Sequence, residues 1–156
     1  MSEAQQPAFT IEKLYVKDLS LEVPNAPQVF LRGDVPQLEV QLSHAAQPIE
    51  GTLFEVSVSV TVTAKVGDKT LFLVETVQAG IFQIRGIPDK ELPAVLGIVC
   101  PNVLFPYARE TISDTVNRAG FPPVLLAPVN FEAIYQQQQA ANGGTGDDGP
   151  RIEIAH

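Results

Sequence analysis

The amino-acid sequence predicts an α+β fold in which an antiparallel sheet comes first along the chain and helices follow. Residues 52–66 alternate apolar and polar side chains without a break, which is typical of a strand with one buried face. Gly67-Asp68 then provides a hairpin turn. Beyond residue 100 the apolar residues follow a 3.6-residue period. We therefore expect the helices to cover one face of the sheet and to leave its polar face open.

Four strands are expected. They span residues 10–23, 37–43, 52–66 and 70–78. Gly80 suggests a bulge, after which residues 81–84 can continue the fourth strand. Residues 45–51, between the second and third strands, are predicted to form a loop.

The first strand contains a change of register. Leu14 and Val16 occupy one face, whereas Leu19 and Leu21 alternate out of phase with them. A period of two residues cannot place both pairs on the same face. A bulge or bend is therefore expected near Lys17.

The long helix is the only extended helical pattern in the sequence. Its apolar stripe recurs at every fourth residue, at Leu104, Ala108, Ile112 and Val116. Pro106 suits the first helical position, and Gly120 can adopt the left-handed conformation that ends a helix. The stripe can pack on the sheet or against another copy of the chain, and the pattern alone leaves both interpretations open.

A second helix is expected after Asn130, which can cap it. Its apolar side would contain Phe131, Ile134 and Tyr135. The chain then divides into a flexible N-terminal tail at residues 1–8, one domain at 9–136 and a flexible, acidic and Gly-rich tail at 137–156.

The charge of the chain limits the classes of partner. Ten Lys and Arg residues stand against eighteen Asp and Glu residues, which gives a net charge of −8. Nucleic-acid binding requires clustered Lys and Arg for phosphate contacts. The balance therefore argues against nucleic acid and anionic membrane surfaces, and it is compatible with a basic partner.

Composition also predicts the compartment. Cys100 is the single cysteine, so no internal disulfide can form, which fits a reducing environment. The N-terminus lacks the features of a secretory signal, and no uninterrupted apolar run approaches the roughly 18 residues of a membrane span. A cytoplasmic location without membrane insertion is expected.

The sequence contains no convincing catalytic or metal-binding set. Cys100 lies in an apolar setting, where a thiol is more often inert than reactive, and His44 is its one candidate partner outside the terminus. One Cys and two distant His do not make a zinc site. Residues 143–148 match a calcium-binding repeat once, but such repeats bind only when stacked. We expect no catalytic residue, metal or cofactor, and a hydrolase that uses Cys100 is the alternative.

The remaining candidates are surfaces. Asp18 and Glu22 share one face of the first strand, and Leu73 and Glu75 share the outward face of the fourth. The carboxylates can be solubilising charge or a site for a basic partner. Apolar stretches at residues 29–31, 124–126 and 131–135 can be core, a self-interface or a groove for an apolar client. The residues alone therefore indicate a binding or assembly protein.

Five stretches carry a resemblance to a known family. They are YVKDLSLEVPNAP at residues 15–27, VTVTA at 60–64, GIF at 80–82, CPNVLFPYARE at 100–110 and LAPVNF at 126–131. Together, in this order and spacing, they resemble SecB, the bacterial protein-export chaperone. The match runs from about residue 9 to 136, with departures at 28–51 and after 136.

The resemblance implies an ATP-independent chaperone that holds precursor proteins unfolded and passes them to the SecA motor ATPase. It also implies a homotetramer, a dimer of dimers, in which the long helix packs between dimers. The interface residues would be Tyr107, Ile112, Thr115, Val116 and Ala119. A general anti-aggregation holdase of the same fold, without a SecA role, is the alternative.

The resemblance further implies two binding surfaces. An acidic sheet surface receives the basic, zinc-bearing C-terminal segment of SecA, and the matching positions here are Asp18, Glu22, Leu73 and Glu75. Unfolded clients bind in grooves beside the helices and loops. The client-binding candidates are Leu38, Val40, Leu42, Leu126, Phe131 and Ile134.

Overall fold

The sheet dominates the computed structural model, which describes residues 6–141 and 152–155. Its strands are β1 (Ala8–Glu22), β2 (Gln37–Glu50), β3 (Leu53–Val66), β4 (Lys69–Arg85) and β5 (Ile152–Ala155). All neighbours are antiparallel, in the order β1-β4-β3-β2-β5. The four strands expected from the sequence are therefore present, and the structure adds a short fifth strand beside β2.

The alternation in β3 divides the sheet into two faces. Even-numbered residues from Val56 to Ala64 are buried on the side that carries the helices. Odd-numbered residues from Glu55 to Lys65 lie on the other side, which we call the open face. Because directly paired residues share a face, the register extends this division to β1, β2 and β4.

The expected bulge in β1 is confirmed. The pairing of β1 with β4 shifts between Val16 and Asp18, so Lys17 is the extra residue. This shift places Leu14 and Leu19 on the same, helix-facing side despite their odd separation. A second shift, between Ile11 and Lys13, was not expected.

The prediction of a bulge at Gly80 is wrong, because Gly80 of β4 pairs with Val56 of β3 in an unbroken register. The glycine is required by close packing instead. A Cβ added there would lie 2.9 Å from the Phe82 ring and 3.1 Å from side-chain carbons of Leu104 and Leu14. The sheet and α2 therefore approach too closely at this point for any larger residue.

The loop predicted at residues 45–51 is also wrong for most of its length. β2 continues to Glu50, and a turn at Gly51, with φ of 57°, leads into β3. Pro48 had argued against a strand. It is tolerated because this part of β2 is a sheet edge, and a register shift between Pro48 and Glu50 follows it.

The long helix begins earlier than expected. Leu92–Ala94 (α1) continues through a π-helical turn at Val95–Val99 into α2, Cys100–Arg118. The prediction that Pro106 starts the long helix is wrong, since Pro106 lies inside α2. Pro106 and Asn102 are both exposed, so water can satisfy the Asn102 carbonyl that loses its helical donor.

The C-terminus of α2 follows the prediction. Gly120 has φ of 95°. The N–H groups of Gly120 and Phe121 donate to the carbonyls of Asn117 and Val116. A left-handed glycine thus satisfies the last carbonyls of the helix.

The apolar stripe of α2 packs on β3 and β4, which decides between the two interpretations left open by the sequence. Its four residues have no exposed surface: Leu104, Ala108, Ile112 and Val116. By length and composition, Leu92–Arg118 is apolar enough to cross a membrane. A core helix passes the same test, and the stripe buried against the sheet assigns α2 to the core.

An extended segment at residues 121–130 leads to α3, Phe131–Ala141. Asn130 caps α3 as expected, since its Oδ1 accepts a hydrogen bond from the Ala133 N–H at 3.0 Å. α3 runs past residue 136, and β5 lies within the segment predicted to be a tail. Residues 1–5, 142–151 and 156 lie outside the described residues, as does the single calcium-type repeat at 143–148, so the proposed tails remain predictions.

Candidate functional site

The sheet register brings the four candidate positions for SecA together on the open face. Glu75 of β4 lies opposite Ser20, and Leu73 lies opposite Glu22. Asp18, two residues before Ser20, shares the same side. We call Asp18, Glu22, Leu73 and Glu75 the acidic patch. Its three carboxylates are exposed, so a partner can reach all of them at once.

Among residues 6–141, no cation contacts the acidic patch directly. The ion pairs in this part of the chain are Lys17 with Glu55 and Arg118 with Asp114. The carboxylates of the patch take part in neither pair. Their charges therefore reinforce one another, which favours a basic ligand.

A polar cluster centred on Glu55 lies on the open face and includes Lys17. The Lys17 Nζ lies 2.8 Å from Glu55 Oε1, and Gln47 Nε2 donates to the same oxygen at 3.0 Å. Tyr15 of β1 donates its hydroxyl to Glu55 Oε2 of β3, across β4. Lys17 is thus paired with Glu55 and not with its neighbour Asp18.

The cluster perturbs two ionisable groups. Hydrogen bonds from Lys17 and then Tyr15 hold the pKa of Glu55 below its usual value, although partial burial opposes this. Burial, together with the hydrogen bond to Glu55, raises the pKa of Tyr15 to about 12. Glu55 is therefore ionised and Tyr15 is protonated at neutral pH.

An apolar groove opens on the helix side of the sheet. Its volume is about 710 Å³. It lies between the segment after β1, the start of β2, and residues 121–125. Its principal apolar lining residues are Val29, Phe30, Val35, Leu38, Phe121 and Leu125.

The groove floor is aromatic and its rim is exposed. The Phe121 ring centroid lies 5.1 Å from that of Phe30 and 4.9 Å from that of Phe72. Val35 is 89% exposed and Leu125 is 80% exposed. Such exposed apolar surface is typical of a binding site.

Of the client-binding candidates, Leu38 alone lines this groove. The others are buried: Val40, Leu42, Leu126, Phe131 and Ile134. These residues of β2, the segment at 121–130 and α3 belong to one hydrophobic core. A client could contact their side chains only if α3 or that segment moved away.

Sequence reasoning missed the exposed rim of the groove. The apolar run at 124–126 was noticed, but its members behave differently, since Val124 and Leu126 point into the core and Leu125 points outward. Alternation within an extended segment could have separated them. Val35 lies in a stretch without any pattern, so no local signal identified it.

The candidates for the tetramer interface fall on two sides of α2. Ile112, Thr115 and Val116 are buried against the sheet, and so the monomer already occupies them. Tyr107 is half-exposed and Ala119 is partly exposed. Of these candidates, only Tyr107 and Ala119 keep exposed surface in the monomer.

The geometry does not favour chemistry at Cys100. Its side chain is fully buried, and burial raises the thiol pKa to about 12, which leaves almost no reactive thiolate. Burial also lowers the pKa of His44, whose ring packs edge-on against Phe131. In the part of the chain that the structure describes, no group of three His, Cys, Asp or Glu residues is placed to hold a metal ion.

Comparison with known proteins identifies the family. A family model described as preprotein translocase subunit SecB matches residues 2–142. The chain belongs to the SecB family. A SecB relative named protein-export protein SecB, from Chromobacterium violaceum, is 62% identical, over 94% of this chain and 99% of that protein. The protein of the same name from Methylobacillus flagellatus is 60% identical, over 92% and 94%.

A solved structure shares the SecB fold. The Mycobacterium tuberculosis SecB-like chaperone, determined in complex with a peptide from an antitoxin, is 19% identical to this chain. The structural match covers 78% of this chain and 90% of the M. tuberculosis chain, with a TM-score of 0.65. The antiparallel sheet with helices on one face is therefore the SecB architecture.

Proposed function

We propose that this chain is an ATP-independent chaperone that holds unfolded precursor proteins and delivers them to the SecA motor. It acts in the cytoplasm as a binding protein and not as an enzyme. One observation carries the proposal. The apolar groove and the acidic patch lie on opposite faces of the same sheet, so client and motor can be bound at the same time.

The client side rests on the groove. An unfolded precursor exposes apolar side chains, and a shallow apolar channel binds such a chain without reading its sequence. Each groove is open and has few polar contacts, so a single contact is weak and reversible. Several grooves on one assembly then hold a long client through avidity.

The motor side rests on the acidic patch. Asp18, Glu22 and Glu75 present three exposed carboxylates around Leu73, none of them in an ion pair among the described residues, which suits a basic segment with one apolar contact. The cluster around Glu55 binds Lys17 and so removes the charge that would oppose such a partner. The net charge of −8 attracts the same partner at longer range.

Assembly as a homotetramer, a dimer of dimers, rests on surfaces that the monomer leaves uncovered. β1 is an edge strand of the sheet. Its exposed apolar residues are Phe9, Ile11, Val16, Leu19 and Leu21. An unpaired, apolar edge requires a cover in a stable protein, and a second copy of β1 supplies one. The Tyr107 side of α2 then remains for contact between dimers.

The proposal is tested with variants that weaken either SecA binding or precursor binding, but not both. We expect Asp18→Lys with Glu75→Lys to weaken SecA binding at least tenfold and to leave the affinity for an unfolded precursor unchanged. Leu125→Ser with Val35→Ser should weaken precursor binding several-fold and leave SecA binding unchanged. Both affinities are measured by titration of the assembled protein with labelled SecA or labelled precursor.

Two matched variants serve as controls. Glu50→Lys makes the same charge change as either single patch substitution, Asp18→Lys or Glu75→Lys, at the far end of the sheet beside the turn at Gly51. Leu31→Ser removes a leucine that is 84% exposed but does not line the groove. SecA affinity that is equal in Asp18→Lys, Glu75→Lys and Glu50→Lys would remove the motor role and leave a general anti-aggregation holdase.

A further inference from the structure

The edge of β2 is occupied by the C-terminal segment of the chain itself. Ile152–Ala155 pairs antiparallel with β2, from Leu42 opposite Ile152 to Glu39 opposite Ala155. Ten residues, 142–151, connect this strand to the end of α3 at Ala141. Without β5, every second residue of 39–42 would have its main-chain N–H and C=O open on that side, since the other residues face β3.

This edge adjoins the apolar groove. Leu38 lines the groove, and the backbone positions covered by β5 begin at the next residue, Glu39. The covered stretch includes Val40 and Leu42, whose side chains are buried under Leu126 and its neighbours. An extended polypeptide that leaves the groove along β2 would therefore meet β5 in its path.

The segment can leave without disturbing the core. β5 pairs over four residues only, and β2 is its single neighbour in the sheet. So short an edge strand makes only a few main-chain hydrogen bonds, and each makes a small net contribution to stability in water. The ten connecting residues can span up to about 33 Å when extended, so β5 can detach while α3 stays in place.

We propose that Ile152–Ala155 is an internal competitor for the edge of β2. It pairs with β2 when no client is held, and it yields residues 39–42 to an extended segment of an unfolded client. The client then continues from the groove onto the sheet edge through main-chain hydrogen bonds, which require no particular sequence. This inference rests on the proposed holding of clients.

The competing explanation is that β5 only protects an edge strand from self-association, as edge strands commonly need. The two explanations differ in their consequence for clients. A competitor weakens the apparent affinity by the fraction of molecules whose edge is free. A protective strand leaves client affinity unchanged.

The experiment disables β5 within the full-length chain. Successive N–H groups along a strand point to opposite edges, so Glu153→Pro with Ile154→Pro must remove a donor from the side that faces β2. Glu153→Thr with Ile154→Val keeps every N–H and is the matched control. Hydrogen exchange is measured for those amides of residues 39–42 that point toward β5, and the affinity for an unfolded precursor is measured as well.

We expect the proline variant to exchange these amides faster than the control and to bind the precursor about 3- to 10-fold more tightly. Faster exchange with unchanged or weaker client affinity would overturn the proposal and leave edge protection. Equal exchange in the two variants would overturn it as well, since β5 would then not occupy the edge. If the unaltered chain binds no precursor, the proposed chaperone function fails, whatever the exchange rates are. That result differs from the two above, which overturn only the competition by β5.

Discussion

Glu55 illustrates how one residue organises the open face. It accepts hydrogen bonds from Tyr15, Lys17 and Gln47, which lie on β1 and β2, on either side of the β3–β4 pair. Lys17 is half-exposed, so water screens part of its interaction with Glu55. The bulge at Lys17 makes the arrangement possible, because it turns this side chain toward the open face.

The stability contribution of Glu55 should depend on pH. Its pKa is lowered from 4.5 in the folded chain, so the stabilisation is fully present above that value and is lost as the pH falls through the folded-state pKa. Glu55→Gln should therefore lower the free energy of unfolding at pH 7 by about 0.5–1 kcal/mol after allowance for solvent screening. The difference should shrink as the pH falls below 4.5 and vanish once the pH is below the folded-state pKa.

Chemical denaturation at several pH values measures this difference. Glu39→Gln is the control, since Glu39 is exposed on the same face of the sheet and makes no ion pair among the described residues. A pH-independent loss for Glu55→Gln would mean that packing, and not the charge of Glu55, stabilises the cluster.

At the scale of elements, the close approach of α2 to the sheet depends on Gly80. Leu104 of α2 and Leu14 of β1 meet above this glycine, which brings helix, central strand and edge strand together. A helix that packs this closely excludes water from the whole stripe from Leu104 to Val116. The same contact explains why β4 stays regular where the sequence suggested a bulge.

Gly80→Ala should lower the free energy of unfolding by about 1–3 kcal/mol, because the added methyl group forces Phe82, Leu104 or Leu14 to shift. Thermal or chemical unfolding measures the loss. Gly33→Ala is the matched control, since a Cβ there meets nothing within 4 Å. Equal stability of the two variants would show that the core yields at no cost.

At the scale of the whole molecule, the sheet separates two kinds of surface. Its helix side carries the apolar groove, and its open face carries the acidic patch. The edges differ too, since β5 covers part of β2 whereas β1 has no neighbour on its outer side among the described strands. The outer edge of β1 is therefore the part of the sheet whose main-chain groups have no partner strand among the described residues.

We expect the purified protein to have the mass of four chains by light scattering. Leu19→Lys, on the exposed part of β1, should shift the mass toward smaller species, because a lysine on an edge strand disfavours pairing. Leu31→Lys adds the same charge at an exposed leucine outside the edge and should leave the mass unchanged. A wild-type monomer at micromolar concentration would contradict the proposed assembly.

Local patterns predicted much of this fold because each is written in consecutive residues. The alternation in residues 52–66, the Lys17 bulge, the Gly120 cap and the Asn130 cap all follow from the chemistry of neighbours along the chain. Where long-range contacts outweigh local preference, the predictions failed. Pro48 in β2 and Pro106 in α2 are examples, since each is tolerated at a solvent-facing position that its neighbours in sequence do not reveal.

The acidic patch could be proposed from the sequence, since Asp18, Glu22, Leu73 and Glu75 each lie on a strand face that alternation defines. That these residues share one face was decided only by the register of β1 against β4. The groove was less accessible to prediction. Its lining comes from separate segments around residues 30, 35, 38, 72 and 121, and the fold alone brings them together.

By itself, the sequence determined the strands, the long helix, the charge and the family resemblance, because these depend on residue type and spacing. The tertiary structure decided which side of each element is buried, and so it placed Val40, Leu42 and Phe131 in the core and Val35 and Leu125 at the groove. It also decided the position of Ile152–Ala155. Burial and strand pairing depend on residues far apart in the chain, and no local pattern encodes such contacts.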